Sequence, residues 1–283
     1  MKSNIDRIGS IASIIGAVLA FVTLFLGANW QLFTSLSLTT VFIVLFVIFL
    51  IRGNNYQKYL TALTGIQNLH YEIIKNQASY SSIDLDKSVN KLGETCTEVS
   101  KILTKLKGNQ ISVCVKYTNT LDDNYSDMYV KTLSRDYESN RKRKDLYPDD
   151  VLDKISDNTD FEELFVKLIK KDDWQKVYYF ANFLPQKHQY NNSHLDRSVI
   201  PDEWYSWFSR NKKWPLPYKS TIVVPIIYGG NKNIYGYLCV DSVNNRGFDQ
   251  INDVKIVQDI ALDLSLTIKT ISERHLISTK EHE

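Results

Sequence analysis

The sequence predicts an α+β domain carried behind a two-helix transmembrane hairpin and a helical stalk. Three observations predict it. From Ile8 to Ile51 there are 44 consecutive residues without a charge. From 55 to 107 apolar residues recur at helical spacing. Beyond Gly108 the pattern changes to short strand-like segments separated by helical ones, an order that implies an α+β or α/β/α sandwich with helices on both faces of the sheet. The expected domains are 1–53 for the hairpin, 54–107 for the stalk and 108–283 for a cytoplasmic domain. The balance of 34 Lys+Arg against 32 Asp+Glu hides this division, because every charge lies outside the apolar block. A wholly soluble protein is excluded, and so is a polytopic transporter, since no second apolar block follows. A content of 12 % aromatics excludes a disordered chain. A net charge of +2 lacks the basic excess of a DNA or RNA binder.

A membrane span takes about 20 apolar residues, so the block accommodates two and a tight turn. Span one is placed at 8–27 and span two at 32–51, with the turn at Gly27-Ala28-Asn29-Trp30-Gln31. Trp30 suits the headgroup layer. Small residues in span one, Gly9, Ser13 and Ala17 with Ala12 and Gly16, allow close helix approach, within the hairpin or between copies. Lys2 and Arg7 precede the block and Arg52 and Lys58 follow it, so both termini are expected in the cytoplasm of an inner-membrane, multi-pass protein. The run exceeds a signal-peptide h-region.

In the stalk, Leu60, Leu63, Ile66, Leu69 and Ile73 mark one helix, and Ser79–Ser82 interrupts the pattern. A second helix, 83–107, carries Leu85, Val89, Leu92, Cys96, Val99, Leu103 and Leu106 in alternating steps of 4 and 3. That is a heptad-like seam, either packed on its own domain or pairing two copies. Gly108 stops it. Ile111–Tyr117 and Met128–Ser134 read as strands, and 135–150 as a charged loop. Thr159-x-x-Glu162 is a capping box opening a helix. Lys176–Ala181 reads as a short strand, Leu184–Val199 as a polar stretch, and 202–208 as a short helix with Trp204, Trp207 and Phe208. Thr221–Tyr228 and Ile234–Ser242 are apolar on both faces, joined by a hairpin turn at Gly229-Gly230-Asn231. A last helix follows Phe248, with Val254, Val257, Ala261, Leu264, Ile268 and Ile271 along one side.

This order, with Val223-Val-Pro-Ile226, then Tyr235-Gly-Tyr-Leu-Cys-Val-Asp-Ser242, then Phe248 and a closing helix, resembles a GAF domain, a small-molecule sensing module. The resemblance covers about 107–273. It implies a six-stranded antiparallel sheet, its first and last helices side by side on one face and often dimerising there, and a ligand pocket on the other face. Leu85, Val89, Leu92, Val99, Leu103, Leu106, Leu264 and Ile268 are then candidate oligomerisation residues. Arg135, Tyr137, Phe180, Asn182, Phe183, Tyr190, Asn191, Trp204, Trp207 and Asp241 come from segments that the resemblance places near the pocket. Aromatics with a few convergent polar groups suit a planar ligand such as a nucleotide. The Asn-Lys signature of cyclic-nucleotide-binding members is absent at the matching positions, Asp241-Ser242, as is the Cys-His pair of bilin-binding members.

Cys96, Cys114 and Cys239 show no metal-knuckle spacing and read as buried small hydrophobes. A methionine-sulfoxide-type reductase would need loop cysteines around the pocket. His188, Ser193, His194 and Asp196 lie on one polar loop, whereas triad members come from separate segments. Arg141–Lys144 reads as a solvated basic run. No catalytic motif is present, and no cofactor or metal is expected.

The expected function is that of a membrane-anchored sensor or effector. Its GAF-like domain would bind a small molecule and signal through the hairpin, with a homo-oligomer and the lipid bilayer as partners. The architecture is similar to two-span effectors of anti-phage defence, an analogy of layout alone. The alternative is a scaffold that recruits an enzyme to the membrane. A topology reporter fused to the C-terminus is expected to report a cytoplasmic location; a periplasmic signal would overturn the orientation.

Overall fold

The computed structural model describes residues 30–82, 84–118, 128–143, 152–170, 176–187, 189–196, 198, 200, 207–229 and 234–280. The chain divides into two compact units, 1–60 and 61–283, each described by itself. The boundary falls inside the first described helix, α1 (Trp30–Ser82). Span one and its flanking charges lie outside the described residues. Trp30 and Gln31, expected in the turn, already belong to α1, and no break separates the expected span two from the stalk helix. Within span two, side chains are described at Ser37 and from Thr40 to Leu45. Among the fully described residues no helix is long and apolar enough to cross a membrane.

The second unit follows with α2 (Leu85–Lys107), β1 (Ile111–Thr118), β2 (Tyr129–Arg135), α3 (Tyr137–Arg143), β3 (Asp153–Lys154), α4 (Thr159–Lys170), β4 (Tyr179–Ala181), α5 (Trp207–Lys212), β5 (Ser220–Ile227), β6 (Ile234–Ser242) and α6 (Asn252–Lys280). The six strands form one antiparallel sheet in the order β3-β2-β1-β6-β5-β4. Every residue of β5 is buried, and all of β6 except Tyr235. That is the two-sided burial their continuous apolar sequence predicts.

α2 and α6 pack together and against the sheet. Leu92, Val99, Leu103 and Leu106 of α2 and Leu264 and Ile268 of α6 are buried inside the single chain, so their burial needs no second copy. Leu85 and Val89, nearer the start of α2, are half-buried. Gly108 takes the left-handed conformation (φ 70°) and its N–H reaches back to the Thr104 carbonyl, ending α2 where the sequence predicts. Lys107 Nζ lies 2.6 Å from Asp253 Oδ2, tying the last turn of α2 to the first turn of α6. Each charge complements its own helix dipole. The 61–82 half of α1 joins this helical layer. Ala62, Ile66 and Ile73 are buried, and His70 Nδ1 lies 2.6 Å from Asp263 Oδ1.

Two local expectations change. The charged loop after Arg135 holds α3. Its start is fixed by Asp136, whose Oδ1 accepts the Ser139 N–H while Oδ2 accepts the Val113 N–H of β1. At α4 the Thr159 hydroxyl accepts the Asn191 N–H at 2.8 Å, so the capping-box threonine secures a neighbouring loop.

β1 and β6 approach closely at Gly236. A methyl group there would overlap the Lys116 carbonyl, which is backbone and has no freedom to turn aside. Gly236→Ala is therefore expected to destabilise the fold by about 3 kcal/mol, an overpacking cost at the upper end of the usual range. A lowered urea midpoint would show it; an unchanged midpoint would mean the strands can separate there without penalty.

Candidate functional site

Alternation along the central strands decides what faces α4. On β1 the residues turned that way include Cys114 and Lys116; on β6, Tyr237, Cys239 and Asp241; on β5, Thr221 and Val223. Most of this face is covered by an aromatic and aliphatic cluster. Phe161 lies 4.9 Å from Tyr237 between ring centroids, and Tyr190 lies 6.4 Å from Tyr179 and 6.2 Å from Trp214. What remains is a cavity of about 50 Å³. Its lining gathers Lys116, Arg135, Asp160, His194 and Asp241, with Thr221 and the two cysteines beside them.

The charges are organised around one ion pair. Lys116 Nζ lies 2.7 Å from Asp153 Oδ2, with both side chains largely buried. Burial works against the Lys116 ammonium, but Asp153 outweighs it and holds its pKa above the ordinary lysine value. Burial likewise opposes ionisation of Asp153, yet His194 and Lys116 outweigh it and hold the carboxyl well below the usual range. His194 Nε2 stands 3.4 Å from Asp153 Oδ1, an ion-pair distance without hydrogen-bond alignment. Asp160, in the first turn of α4, is 5 % exposed and accepts the Phe161 N–H at 3.0 Å. Burial pushes its carboxyl up to about 7 despite the opposing pull of Lys116. The site thus holds one proton that is poised to leave near neutral pH.

Of the sequence-predicted residues, Arg135 and Asp241 line this cavity. Tyr137 is on α3, 65 % exposed, and away from it. Phe180 alternates with Tyr179 and Ala181, which are on the cavity side, and so it faces the other way. Asn182 is a clamp: its Nδ2 donates to the Phe248 carbonyl and its Oδ1 accepts the Phe248 N–H. Phe183 is half-buried ahead of a short 3-10 turn, Leu184–Gln186. Tyr190 is core, its hydroxyl 3.5 Å from that of Tyr218. Asn191 is exposed and engaged through its backbone with Thr159. Trp204 and the Trp207 side chain lie outside the described residues, as does His188. Ser193 bonds Asn158 and Asp196 bonds Ser198, so the polar loop does not converge on one centre. No metal-binding group of three or more His, Cys, Asp or Glu occurs among the described residues. Of the basic run, Arg141 pairs with Glu138 and Lys142 donates to Gln110. Lys116, Asp160 and Asp153 were missed by sequence reasoning. Lys116 had a signal: two residues after Cys114 in a strand, it must share that residue's buried face.

A larger open groove, about 730 Å³, runs beside α6 between Val177, Pro225, Ile251 and Leu262. Its charged residues, Lys176, Lys255 and Asp259, are exposed, which leaves the smaller cavity, with its buried charges, as the candidate site.

An antiparallel six-stranded sheet, with α2 and α6 on one face and a polar-lined cavity under α4 on the other, is the GAF-like arrangement that the sequence resemblance implies. No family model matches the chain, and a search of curated proteins finds no match. Among solved structures the chain is similar to the GAF domain of an Acinetobacter phosphoenolpyruvate-protein phosphotransferase, at 13 % identity and TM-score 0.41, covering 73 % of this chain and 92 % of that one. It is also similar to a type II free methionine-R-sulfoxide reductase from Thermoplasma acidophilum, at 14 % identity, TM-score 0.40, 67 % of this chain and 96 % of that one. A third is the phycoerythrobilin-bound GAF domain of a cyanobacterial phytochrome, at 16 % identity, TM-score 0.39, 74 % and 96 %. Likenesses this distant carry none of the functional reading that follows.

The Asp160 carboxyl makes a signed prediction. Unfolded, it ionises near pH 4; folded, it keeps its proton up to about pH 7. Between these values the native state binds more protons, so this group's contribution to stability falls as pH rises. Asp160→Asn should remove that fall and gain on the order of a few kcal/mol over the parent at pH 8, with little difference at pH 4.5. Urea denaturation at the two values measures it; parallel pH profiles would refute the assignment.

Proposed function

We propose that the chain is a non-catalytic sensor whose GAF-like domain binds a small polar molecule in the cavity over Lys116, Asp160 and Asp241. The observation that carries this is the concentration of buried ionisable groups around a void. Burying charge costs free energy, and a pure packing core would have had no use for Asp160. A void of about 50 Å³ suits a ligand of a few heavy atoms. A nucleotide-sized ligand needs a pocket of roughly 300 Å³ or more. The size therefore favours the smaller class over the nucleotide expected from the aromatic content.

The same proposal anchors the sensor in a bilayer. Phe42, Ile43, Val44 and Leu45 are 70, 55, 47 and 47 % exposed. Four consecutive residues at 100° each span the helix circumference, and a helix apolar all round belongs among other apolar groups. Lipid around an uncharged stretch of 44 residues supplies them. Cytoplasmic termini and a homo-oligomer complete the reading; the anti-phage role rests on layout alone and is not part of it. A second reading, a dimerisation scaffold with no ligand, is favoured by how much of the cavity face the aromatic cluster fills.

The test is a thermal-shift screen of the full chain in detergent against small amines, amino acids and carboxylates. A ligand that raises the Tm of the parent, and fails to raise that of Asp241→Asn from its own baseline, supports the sensor. A screen without a shift favours the scaffold. In cells, the chain is expected to stay with the membrane pellet through an alkaline carbonate wash; release would sink the anchoring.

A further inference from the structure

Two of the three cysteines face one another. In the β1–β6 ladder Cys114 is the direct register partner of Cys239. Direct partners in an antiparallel pair point to the same face, with Cα atoms about 4.5–5.5 Å apart. A disulfide spans Cα separations of about 4.4–6.8 Å, a range that contains this pair's spacing. Both residues belong to the cluster on the cavity side, and both line the cavity itself. They are 5 and 7 % exposed, and both are free thiols. The register puts Lys116 and Tyr237 one step along the same face, and Ser112 and Asp241 one step the other way. The third cysteine, Cys96, lies on α2, is 1 % exposed, and does not line the cavity.

We propose that Cys114 and Cys239 are a redox-active pair, which a small peroxide entering the cavity oxidises to a cross-strand disulfide. A void of about 50 Å³ admits a molecule of a few heavy atoms, hydrogen peroxide among them, whereas bulky disulfides are kept out. The chemistry is a two-electron oxidation of the sulfurs. One thiol loses its proton and attacks a peroxide oxygen; the O–O bond breaks, leaving a sulfenic acid and, after protonation, one water. The second thiol sulfur attacks the sulfenic sulfur, the S–O bond breaks, and a second water leaves with the remaining proton. Two thiols and one hydrogen peroxide become one disulfide and two waters, and a dithiol reductant reverses the change once unfolding exposes the sulfurs. The step does not require the cavity to bind any other ligand.

The environment also sets the rate. Burial pushes the Cys239 thiol well up, and the neighbouring Cys114 thiol adds to the shift. Only the thiolate is an effective nucleophile. With Cys239 as the attacking thiol, oxidation is slow at neutral pH and quickens by up to tenfold for each unit of pH above it, until that thiol titrates. Such a pair responds to sustained peroxide rather than to a brief pulse.

The test treats the full chain in detergent with hydrogen peroxide at pH 7 and pH 9, blocks remaining thiols, and maps peptides without reduction. The expected product is a linked pair, the peptide holding Cys114 joined to that holding Cys239, two hydrogens lighter than the sum. It should form faster at pH 9, return to two thiols with dithiothreitol once the chain is unfolded, and persist in Cys96→Ser. Cys114→Ala and Cys239→Ala should each abolish it, with circular dichroism reporting whether each variant is folded. The parent map decides the matter even if a variant is not. Sulfinic acid on one cysteine without linkage, linkage through Cys96, or an unchanged thiol count would each overturn the proposal.

Discussion

A charged side chain at the centre of an apolar sheet is the constraint around which the cavity side is arranged. Lys116 sits on β1, one of the two central strands, and its side chain is largely buried. Asp153 neutralises it from β3, the two-residue strand at the edge two places away in the sheet. His194 then closes over the same carboxylate and brings the loop after α4 and β4 to the cavity rim. Removing one partner of such a pair leaves a buried charge and costs about 3–5 kcal/mol, well beyond what replacing both would cost. The pair is thus a poor source of stability and a strong source of specificity for this one packing.

The aromatic cluster does a related job by different means. Tyr179, Tyr190 and Tyr237 are among the largest fully buried side chains, and each carries a hydroxyl into the core. Burial keeps all three phenols protonated far into alkaline pH. They fill this side of the sheet, and none of the three lines the remaining void.

Much of the architecture was legible because it follows from local pattern. β5 and β6 announce two-sided burial by unbroken apolar sequence, Gly108 announces a helix end, and the spacing of α6 announces its buried side. The site was less legible, because its residues are joined by contacts between distant segments. Asn182 among aromatics looks like a ligand-binding amide, yet both amide atoms are taken by Phe248, 66 residues on. Tyr190, on a stretch of polar sequence, gives no local sign that it is core. Asp160, at the start of α4, carries no local sign of burial, and only the packing of α4 on the sheet turns it inward. The heptad seam of α2 fits a dimer and a domain equally well, and the contact with the sheet is what takes it up.

The helical layer of the second unit has one more consequence. Residue 65 of α1 meets Ile102 near the end of α2, whereas His70 meets Asp263 further along α6. Since Lys107 meets Asp253, α2 and α6 run in opposite directions, and the 61–82 half of α1 runs the same way as α6. Two parallel rods clasped by an ion pair can slip past one another in steps of a helical turn, about 5.4 Å, while antiparallel α2 stays seated on the strands. A displacement of residues 61–82 along their own axis would meet α6 side by side, at the His70–Asp263 pair.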